Sequence, residues 1–273
     1  MLVAFDIGNT NIVLGVFEGE KLLTSFRLAA DTKRSADEYG IIIDRLFRYE
    51  GLDPKDVGDV IISSVVPALI FTMQHMCYKY YGISPLIVET GIKTGLKIKC
   101  DDPRQIGSDR IVNAVAAHSK YDCPLIIVDF GTATTFCAVT AEGDYLGGTI
   151  AAGIKISGEA LFEKTAKLPH VELEKPGRVI CKNTVESMQS GLIYGNVGLA
   201  EHIISEMKKE LVRDYGQDGD RIKVIATGGL ATMIAEGTDI IDAVEKRLML
   251  QGLLVIYEKN KVGRKSRTNV RRD

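Results

Sequence analysis

The stretch that decides the fold is LVAFDIGNTNIVLGVFEGEKLLTSF at residues 2–26, because a second version of it stands in mid-chain as LIIVDFGTATTFCAVTAEGDYLGGTI at residues 125–150. Each copy is an apolar run that ends in aspartate, followed by x-Gly, small hydroxyl-bearing residues, a second strand-like run, an acidic-Gly turn and a third run. An internal repeat of this kind predicts a duplicated domain. The two loops that begin at Asp6 and Asp129 could then face each other across a cleft.

The residues around each copy predict strands that alternate with helices. A capping box at Ser35 and Glu38 starts a helix that Gly51 ends, and Pro67 suits the first turn of a helix that stops at Gly82. Further helices are expected at residues 157–167, 184–215, after the Gly-Gly pair at 228–229, and from about 240 to 257. Strands are expected at residues 2–5, 12–17, 21–28, 60–63, 85–88, 125–128, 135–140, 145–150 and 221–226.

This order of elements, a hairpin group followed by alternating strands and helices, predicts two mixed α/β domains. We expect the first domain at residues 1–115 and the second at residues 116–258. The strand at residues 221–226, which leads into Thr227, is the positional counterpart of the strand at residues 60–63. The last segment, residues 259–273, is basic and almost free of apolar residues, which is typical of a solvated, disordered tail.

Composition narrows the class of protein. The chain has 273 residues, a length typical of two domains, and its net charge of −2 speaks against nucleic-acid binding. Its five cysteines are scattered and form no CxxC pair, which argues against structural zinc and disulfides and predicts a reducing compartment. No apolar run approaches the ~18 residues of a membrane span, and no signal-peptide pattern follows Met1. We therefore expect a cytoplasmic protein with neither nucleic-acid nor membrane partners.

The loop after the first strand reads DIGNTN at residues 6–11 and has the composition of a phosphate-binding turn. Gly8 lets backbone amides approach an anion closely, and such amides in a concave turn can cradle phosphates, with Asp6 oriented toward a bound Mg²⁺. The alternative is an ordinary Asp-x-Gly turn with local hydrogen bonds. The recurrence of the pattern as DFGT at residues 129–132 favours the functional interpretation.

Two further motifs lie outside the repeat. Gly107-Ser108-Asp109-Arg110 opens a predicted helix, where Ser and Asp are also ordinary capping residues. Asp109 could be the general base for a hydroxyl nucleophile in phosphoryl transfer, and Arg110 could pair with a carboxylate or phosphate. The later sequence ATGGL, at residues 226–230, suits close contact with the ribose or base of a nucleotide, or a tight strand–helix turn.

Taken together, these four motifs resemble type III pantothenate kinase. The resemblance lies in a DxGNT loop, a GxDR tetrapeptide about a hundred residues later, a DxGTA loop and a late TGG, and it covers the chain to about Lys259. That family belongs to the superfamily of sugar kinases, actin and heat-shock chaperones. The resemblance therefore implies an α/β fold of two duplicated ribonuclease-H-like (actin-like ATPase) domains, with mixed sheets and flanking helices.

The resemblance also implies an activity and a set of site residues. The activity is ATP-dependent phosphorylation of pantothenate at its primary hydroxyl to 4′-phosphopantothenate, the first step toward coenzyme A. Asp109 would accept the proton, Asp129 would hold a monovalent cation (K⁺ or NH₄⁺), and Asp6 could help to hold Mg²⁺. ATP would bind at Asp6, Gly8, Asn9, Thr10, Asn11, Val13 and Thr132, and pantothenate at Gly107, Ser108, Asp109, Arg110 and Thr184. The family works as a homodimer with its substrate pocket at or near the interface.

One position departs from the family pattern. Where members often carry a tyrosine that contacts substrate, alignment of GLKIKCDDPRQIGSDR at residues 95–110 places Cys100. Cysteine is smaller than tyrosine and lacks the phenolic hydroxyl, so we expect this substrate contact to be altered. The alternative for Cys100 is a buried structural thiol, the commoner fate of a free cysteine.

Two other functions remain open at this stage. One is a sugar or polyol kinase of the same superfamily, although the chain shows no second hexose-type signature and is short for a glycerol-kinase type. The other is a non-catalytic nucleotide-binding regulator or assembly protein on the same fold. The retention of Asp6, Asp109 and Asp129 speaks against the second alternative, because a regulator does not need a general base.

Overall fold

The computed structural model describes residues 1–261, so most of the predicted basic tail, from residue 262 onward, lies outside the described residues. Its strands are β1 (Leu2–Ile7), β2 (Asn11–Glu18), β3 (Lys21–Ala29), β4 (Asp59–Ser64), β5 (Leu86–Ile87), β6 (Lys97–Ile98), β7 (Leu125–Phe130), β8 (Ala133–Val139), β9 (Asp144–Ala152), β10 (Lys223–Thr227) and β11 (Ala243–Val244). Its α-helices are α1 (Ala36–Tyr49), α2 (Pro67–Tyr81), α3 (Ser108–Lys120), α4 (Ile154–Lys164), α5 (Thr184–Tyr215), α6 (Ala231–Ala235) and α7 (Leu248–Asn260).

The two sheets repeat one strand order. The first runs β3-β2-β1-β4-β5, and the second runs β9-β8-β7-β10-β11 when read in the same direction, with β6 added beside β9. Antiparallel pairing joins β1 to β2 and β2 to β3 in the first sheet, and β7 to β8 and β8 to β9 in the second. Parallel pairing joins β1 to β4 and β4 to β5 in the first sheet, and β7 to β10 and β10 to β11 in the second. The predicted α/β fold with two duplicated ribonuclease-H-like domains and mixed sheets is therefore confirmed.

The described chain divides into two compact units, each with its own sheet and core. The first consists of Met1–Gly95, Asp102–Ala116 and the described chain from Met249 onward, and the second consists of Leu96–Asp101 and Ala117–Leu248. These units differ from the predicted bounds of 1–115 and 116–258 in three places. The last helix belongs with the first unit from Met249 onward, Ala116 also belongs with the first unit, and the short stretch with β6 belongs with the second.

The local rules that predicted α1 and α2 hold in the structure. The Ser35 side chain accepts a hydrogen bond from the Glu38 amide, and the Glu38 carboxylate accepts one from the Ser35 amide, which completes the capping box. The second helix begins at Pro67 and ends at Gly82, whose backbone is left-handed with φ of 67°. Both helices bury one side against the first sheet and contribute Tyr39, Ile43, Phe47, Leu69, Met73 and Met76 to its core.

The opposite face of the first sheet is covered by α7, and two glycines allow the close packing. A Cβ on Gly15 in β2 would lie 2.9 Å from the end of the Leu250 side chain, so a larger residue would require that leucine to move. A Cβ on Gly252 would lie 2.1 Å from the carbonyl oxygen of Val112 in α3. The backbones of α7 and α3 therefore approach each other directly in this unit, and any larger residue would separate them.

The predicted helix from about residue 240 was wrong in its first half. Ala243 and Val244 form β11, parallel to β10, and the helix α7 begins only at Leu248. Ile240, Ile241 and Val244 pack against the core of the second unit from an extended segment. From sequence alone, a short apolar run of this kind is compatible with either an edge strand or the start of a helix. Within residues 1–261, none of the helices is both long enough and apolar enough to cross a bilayer.

Candidate active site

The loop between β1 and β2 is a closed turn with its polar side chains exposed. The Gly8 amide donates to the Asn11 carbonyl at 2.9 Å, and the Thr10 carbonyl accepts from the Ala30 amide at 3.0 Å. Asn9 and Thr10 are exposed at its tip. Because the backbone is held from both sides while Asn9 and Thr10 are exposed at the tip, the loop suits an anion with several oxygens, such as a phosphate chain.

Asp6 stands at the end of β1 and is half-buried. The pairing of the strands places it opposite Val13 of β2 and beside Ser63 of β4. Since β1 and β4 are parallel, their carboxyl ends meet at one edge of the sheet, where ligands of open α/β sheets usually bind. The predicted phosphate-loop residues therefore lie at a site edge of the first unit.

The start of α3 is fixed to this same edge by hydroxyl groups. Ser63 donates to the Oγ of Ser108 at 2.8 Å, and Ser108 donates to the carbonyl of Ser64 at 3.2 Å. The first unit thus brings together two motifs more than forty residues apart, the end of β4 beside the Asp6 loop and the Gly107–Arg110 tetrapeptide.

Asp109 lies in the first turn of α3, where the helix dipole favours a negative charge. Its Oδ1 accepts a hydrogen bond from the Arg110 amide at 2.8 Å, so the carboxylate is turned toward the start of its own helix. A Cβ on Gly107 would lie 2.4 Å from that same Oδ1. Glycine at residue 107 therefore leaves the space that the Asp109 carboxylate occupies.

In the second unit, Asp129 ends β7 as Asp6 ends β1, and glycines surround its carboxylate. Gly228 has φ of +94°, and a Cβ there would lie 2.5 Å from Asp129 Oδ1 and 2.7 Å from the backbone of Phe130. A Cβ on Gly131 would lie 3.3 Å from the same oxygen. The late TGG motif thus lies directly against the second aspartate loop and forms a cradle that only residues without a Cβ permit.

Thr227, the residue beside Asp129 in the parallel pairing, anchors the segment that leads to α7. Its hydroxyl donates to the carbonyl of Glu245 at 2.8 Å. The Glu245 side chain is 15% exposed, pairs with Lys120 and accepts a hydrogen bond from the Tyr121 hydroxyl at 2.6 Å. Burial by itself would raise the pKa of Glu245, but these two hydrogen bonds outweigh it and lower the pKa. Burial and the Glu245 hydrogen bond raise the pKa of Tyr121 to about 12.

Two predicted substrate residues, Thr184 and Cys100, belong to the second unit, whereas Gly107–Arg110 belong to the first. Asn183 accepts a hydrogen bond from the Glu186 amide at 2.9 Å and caps α5, so Thr184 is the exposed first residue of that helix. Thr184 lines a groove of about 600 Å³ along α4 and α5. Cys100 is half-buried, and its sulfur faces Gly147, where a Cβ would lie 3.5 Å away.

The donor chemistry at the two aspartates fits the cations that the family resemblance implies. Asp6 offers a carboxylate beside exposed amide and hydroxyl oxygens, the ligands that Mg²⁺ shares with nucleotide phosphates. Asp129 offers a carboxylate within the glycine cradle, where an ion can come close to backbone oxygens. Among residues 1–261, no three or more His, Cys, Asp or Glu side chains are grouped so as to hold a metal ion.

Sequence reasoning missed Ser63 and Glu245, which hold the motif residues in place. The position of Ser63 could have been found from the repeat itself, because β4 and β10 are counterparts and Ser63 corresponds to Thr227. Nothing in the local sequence marks Glu245, whose partners Lys120 and Tyr121 are more than 120 residues away in the chain.

Solved structures share the fold of the chain at low sequence identity. A Campylobacter jejuni protein assigned to the Baf family of transcriptional activators matches with a TM-score of 0.55 and 19% identity, covering 95% of this chain and 99% of that one. A reductive activator for a corrinoid, iron–sulfur protein matches with a TM-score of 0.51 and 11% identity, covering 96% and 62%. A Sinorhizobium meliloti protein assigned as a 2-dehydro-3-deoxygalactonokinase matches with a TM-score of 0.50 and 10% identity, covering 94% and 98%.

These likenesses show the fold, and a family model shows the family. The model of type III pantothenate kinase matches residues 2–206, three quarters of the chain, and this span includes the Asp6 loop, the Gly107–Arg110 tetrapeptide and the Asp129 loop. The chain therefore belongs to the type III pantothenate kinase family and is an enzyme of the phosphotransferase class.

Proposed function

We propose that the protein transfers the γ-phosphoryl group of ATP to the primary hydroxyl of pantothenate and releases ADP and 4′-phosphopantothenate, the first step toward coenzyme A. Its family membership supports this proposal. The observation that carries it is the arrangement of the first unit. There Asp6, at the start of a loop suited to phosphates, lies beside Ser63 in the sheet, and Ser63 is hydrogen-bonded to Ser108, the residue before Asp109.

In this proposal the β1–β2 loop holds the phosphates of ATP. Amides and side chains of Asn9, Thr10 and Asn11 contact the phosphate oxygens, and Gly8 closes the turn through its amide and leaves room for the phosphates. Val13 forms part of the same ATP segment. Thr132, in the second unit, contacts ATP as well. Such a loop contributes through positioning and charge stabilisation, which dominate catalysis of phosphoryl transfer.

Asp109 is proposed as the general base. It accepts the proton of the pantothenate hydroxyl while the hydroxyl oxygen forms a bond to the γ-phosphorus, and the bond from that phosphorus to the bridging oxygen of ADP breaks. The hydrogen bond from the Arg110 amide keeps the carboxylate oriented for this step. The Arg110 side chain suits the carboxylate of pantothenate, because a guanidinium can bind a carboxylate through two hydrogen bonds.

The remaining assignments follow the family resemblance. Gly107, Ser108 and Thr184 contact pantothenate, and at Cys100 a thiol replaces the phenolic contact that many members make. Mg²⁺ is held chiefly by the ATP phosphates with help from Asp6, and a monovalent cation, K⁺ or NH₄⁺, binds at Asp129. When bound, these cations neutralise the charge of the phosphate chain.

We also propose a cytoplasmic homodimer. All five cysteines are free thiols, which suits a reducing compartment. Large apolar side chains are exposed on β9, α4 and α5, namely Ile150, Leu161, Phe162 and Val185. An exposed apolar surface of this kind is typical of an interface between subunits.

Product analysis tests the reaction. The purified protein, incubated with ATP, Mg²⁺, K⁺ and pantothenate, should yield 4′-phosphopantothenate by mass spectrometry. The matched incubation with a panel of sugars and polyols should yield none of their phosphates. Phosphate on a sugar and none on pantothenate would assign the chain to the sugar-kinase alternative, and no transfer to either would favour a nucleotide-binding regulator.

The base assignment has its own test. We expect Asp109→Asn to lower kcat by about 10²–10⁴-fold, the usual contribution of a general base, while the Kd for ATP stays close to that of the wild type. Asparagine keeps the shape of the side chain and can still accept the Arg110 hydrogen bond. A variant with nearly full kcat would remove Asp109 from its role as base.

A further inference from the structure

We propose that Ser63 is a positioning residue for the phosphoryl transfer: its buried hydroxyl sets the start of α3, and through it the carboxylate of Asp109, against the edge of the sheet that carries the Asp6 loop. This inference rests on the proposed function, since it gives Ser63 a role through the proposed base. Ser63 would not touch the substrate, and its effect would pass through Ser108.

The position of Ser63 is fixed by its burial and by the pairing of its strand. The residue is completely buried, and it lies beside Asp6 in the parallel pairing of β1 with β4. The pairing continues one step further, because the Val65 amide donates to the Ile7 carbonyl at 3.0 Å. Ser63 is therefore held by the sheet itself, and its hydroxyl has a fixed place relative to the Asp6 loop.

Ser108 is constrained from two directions. Its oxygen accepts the proton of Ser63, and its own single proton goes to the Ser64 carbonyl, so both its donor and an acceptor position are used. The Ser64 carbonyl is itself in a fixed turn, since the Ser64 hydroxyl accepts from the Val66 amide at 3.0 Å and donates to the Val66 carbonyl at 3.1 Å. The first residue of α3 is thereby fixed in position.

Asp109 directly follows Ser108 in the chain, so fixing Ser108 also fixes the backbone of Asp109. Its Oδ1 is bound to the Arg110 amide and fills the space left by Gly107. A small rotation of the helix start would therefore move the carboxylate as a whole, away from any hydroxyl bound at the sheet edge. A misplacement of about 1 Å far from the chemistry can cost on the order of 10² in rate.

The duplicated unit uses the equivalent position in the same way. Thr227 stands beside Asp129 as Ser63 stands beside Asp6, and it too is buried and donates its hydroxyl proton to a segment that leads into a helix. Ser63 reaches the start of α3, and Thr227 reaches Glu245, just before α7. Each unit thus has a buried hydroxyl beside its aspartate that donates to a segment distant in the chain, and in the first unit that segment carries the proposed base.

The first test distinguishes a role of Ser63 in positioning the start of α3 from a role in packing alone. We expect Ser63→Ala to lower kcat by about 10–100-fold, with KM for ATP and the melting temperature near those of the wild type. Ser63→Thr should recover much of the rate, because threonine serves at the equivalent position 227. Thr140→Val is the matched control: Thr140 is also buried and accepts a hydrogen bond, from the Asp144 amide at 3.2 Å, but it has no link to α3. It should keep full kcat.

A double variant distinguishes this proposal from the proposed function. If Ser63 acts through Asp109, Ser63→Ala should cost no further rate in the Asp109→Asn background, because residues that act as one unit are not additive. Additive losses, or a Ser63→Ala enzyme with wild-type kcat, would overturn the role of Ser63 while the base assignment stands. Full activity of Asp109→Asn alone would instead refute the base. Should Ser63→Ala melt early, Ser63→Val, which matches threonine in volume but lacks the hydroxyl, must show the loss of kcat that Ser63→Thr does not.

Discussion

The hairpins that carry Asp6 and Asp129 share one frame and differ in what surrounds the aspartate. In the first, Leu2 pairs with Phe17 and the register shifts between Val16 and Phe17. In the second, Leu125 pairs with Val139 and the shift falls between Ala138 and Val139. The irregularity thus recurs at the same place in both copies. The two copies therefore share both the strand pairing and the position of the β-bulge.

The loops at the tips of these hairpins differ. Between the paired residues Ile7 and Ile12 lie four residues, whereas three lie between Phe130 and Thr134. The longer loop carries two asparagines and has an exposed tip, and the shorter one carries Thr132, Ala133 and no asparagine. The longer, polar loop fits a chain of phosphates, and the compact one with its glycine cradle fits a single small ion.

The larger difference arises where the fourth strand of each unit ends. The strand β4 ends with Ser63 and Ser64, which bind the start of α3. The strand β10 ends with Thr227, and the Gly228 that follows lies against Asp129 instead. The same frame therefore contacts the start of α3 at this position in the first unit and encloses a carboxylate in the second.

The strongest test of this comparison replaces each aspartate in turn. Asp6→Asn should lower kcat/KM for ATP by about 10²–10³-fold, the usual cost of losing one electrostatic group at a reacting phosphate, but the ratio of rates in K⁺ and Na⁺ buffers should stay as in the wild type. Asp129→Asn should make the rates in K⁺ and Na⁺ equal. Steady-state kinetics in the two buffers measures both. The reverse pattern would exchange the roles of the two loops.

The next largest effect, on stability, is expected at Gly228 in the glycine cradle, and the adjacent Gly229 provides the control. Gly228→Ala forces a Cβ into a left-handed residue and against Asp129 and Phe130, so we expect it to lower the free energy of unfolding by about 2 kcal/mol or more. Gly229 has no atom within 4 Å of a Cβ, and Gly229→Ala should stay within about 0.5 kcal/mol of the wild type. Chemical denaturation of both variants measures the difference. Equal stabilities would show that position 228 is not a close contact.

The smallest expected effect concerns Glu245, whose backbone carbonyl accepts the hydrogen bond from Thr227. Glu245→Gln should cost about 1 kcal/mol of stability at pH 7, because the pairs to Lys120 and Tyr121 are weakened. The pKa of Glu245 is lowered in the folded state, so the unfolded chain binds the proton first as the pH falls. The contribution is therefore complete above the ordinary value of 4.5 and is lost as the pH drops through the lower, folded-state pKa.

Denaturation curves of wild type and Glu245→Gln between pH 3 and 7 check this dependence. The two should differ at pH 7 and converge in the acid range. Glu20→Gln, at an exposed turn of the first hairpin, is the matched control and should follow the wild type at every pH. A Glu245→Gln difference that is constant with pH would show that the charge of Glu245 does not contribute.

Much of the fold was predictable because its determinants are local. The capping box at Ser35, the proline at 67 and the left-handed glycine at 82 each act within one helix turn, and α5 has the predicted bounds of 184 and 215. Two short edge strands of the second sheet, β6 and β11, were not predictable in this way. The strands β6 and β11 have only two residues each, and they exist because a longer strand lies beside them. The apolar pattern at residues 240–247 consequently predicts a helix where the structure has a strand and a turn.

The sequence by itself determined the duplication, the order of strands and helices, and the family, because repeats, periodicity and motifs are written along the chain. The predicted roles of the individual site residues stay predictions. Only the tertiary structure decided which residues support the motifs, since Ser63 meets Ser108 and Glu245 meets Lys120 across 45 and 125 positions of sequence. A hydrogen bond between distant segments depends on where two strands end in space, and no local pattern of residues encodes that distance.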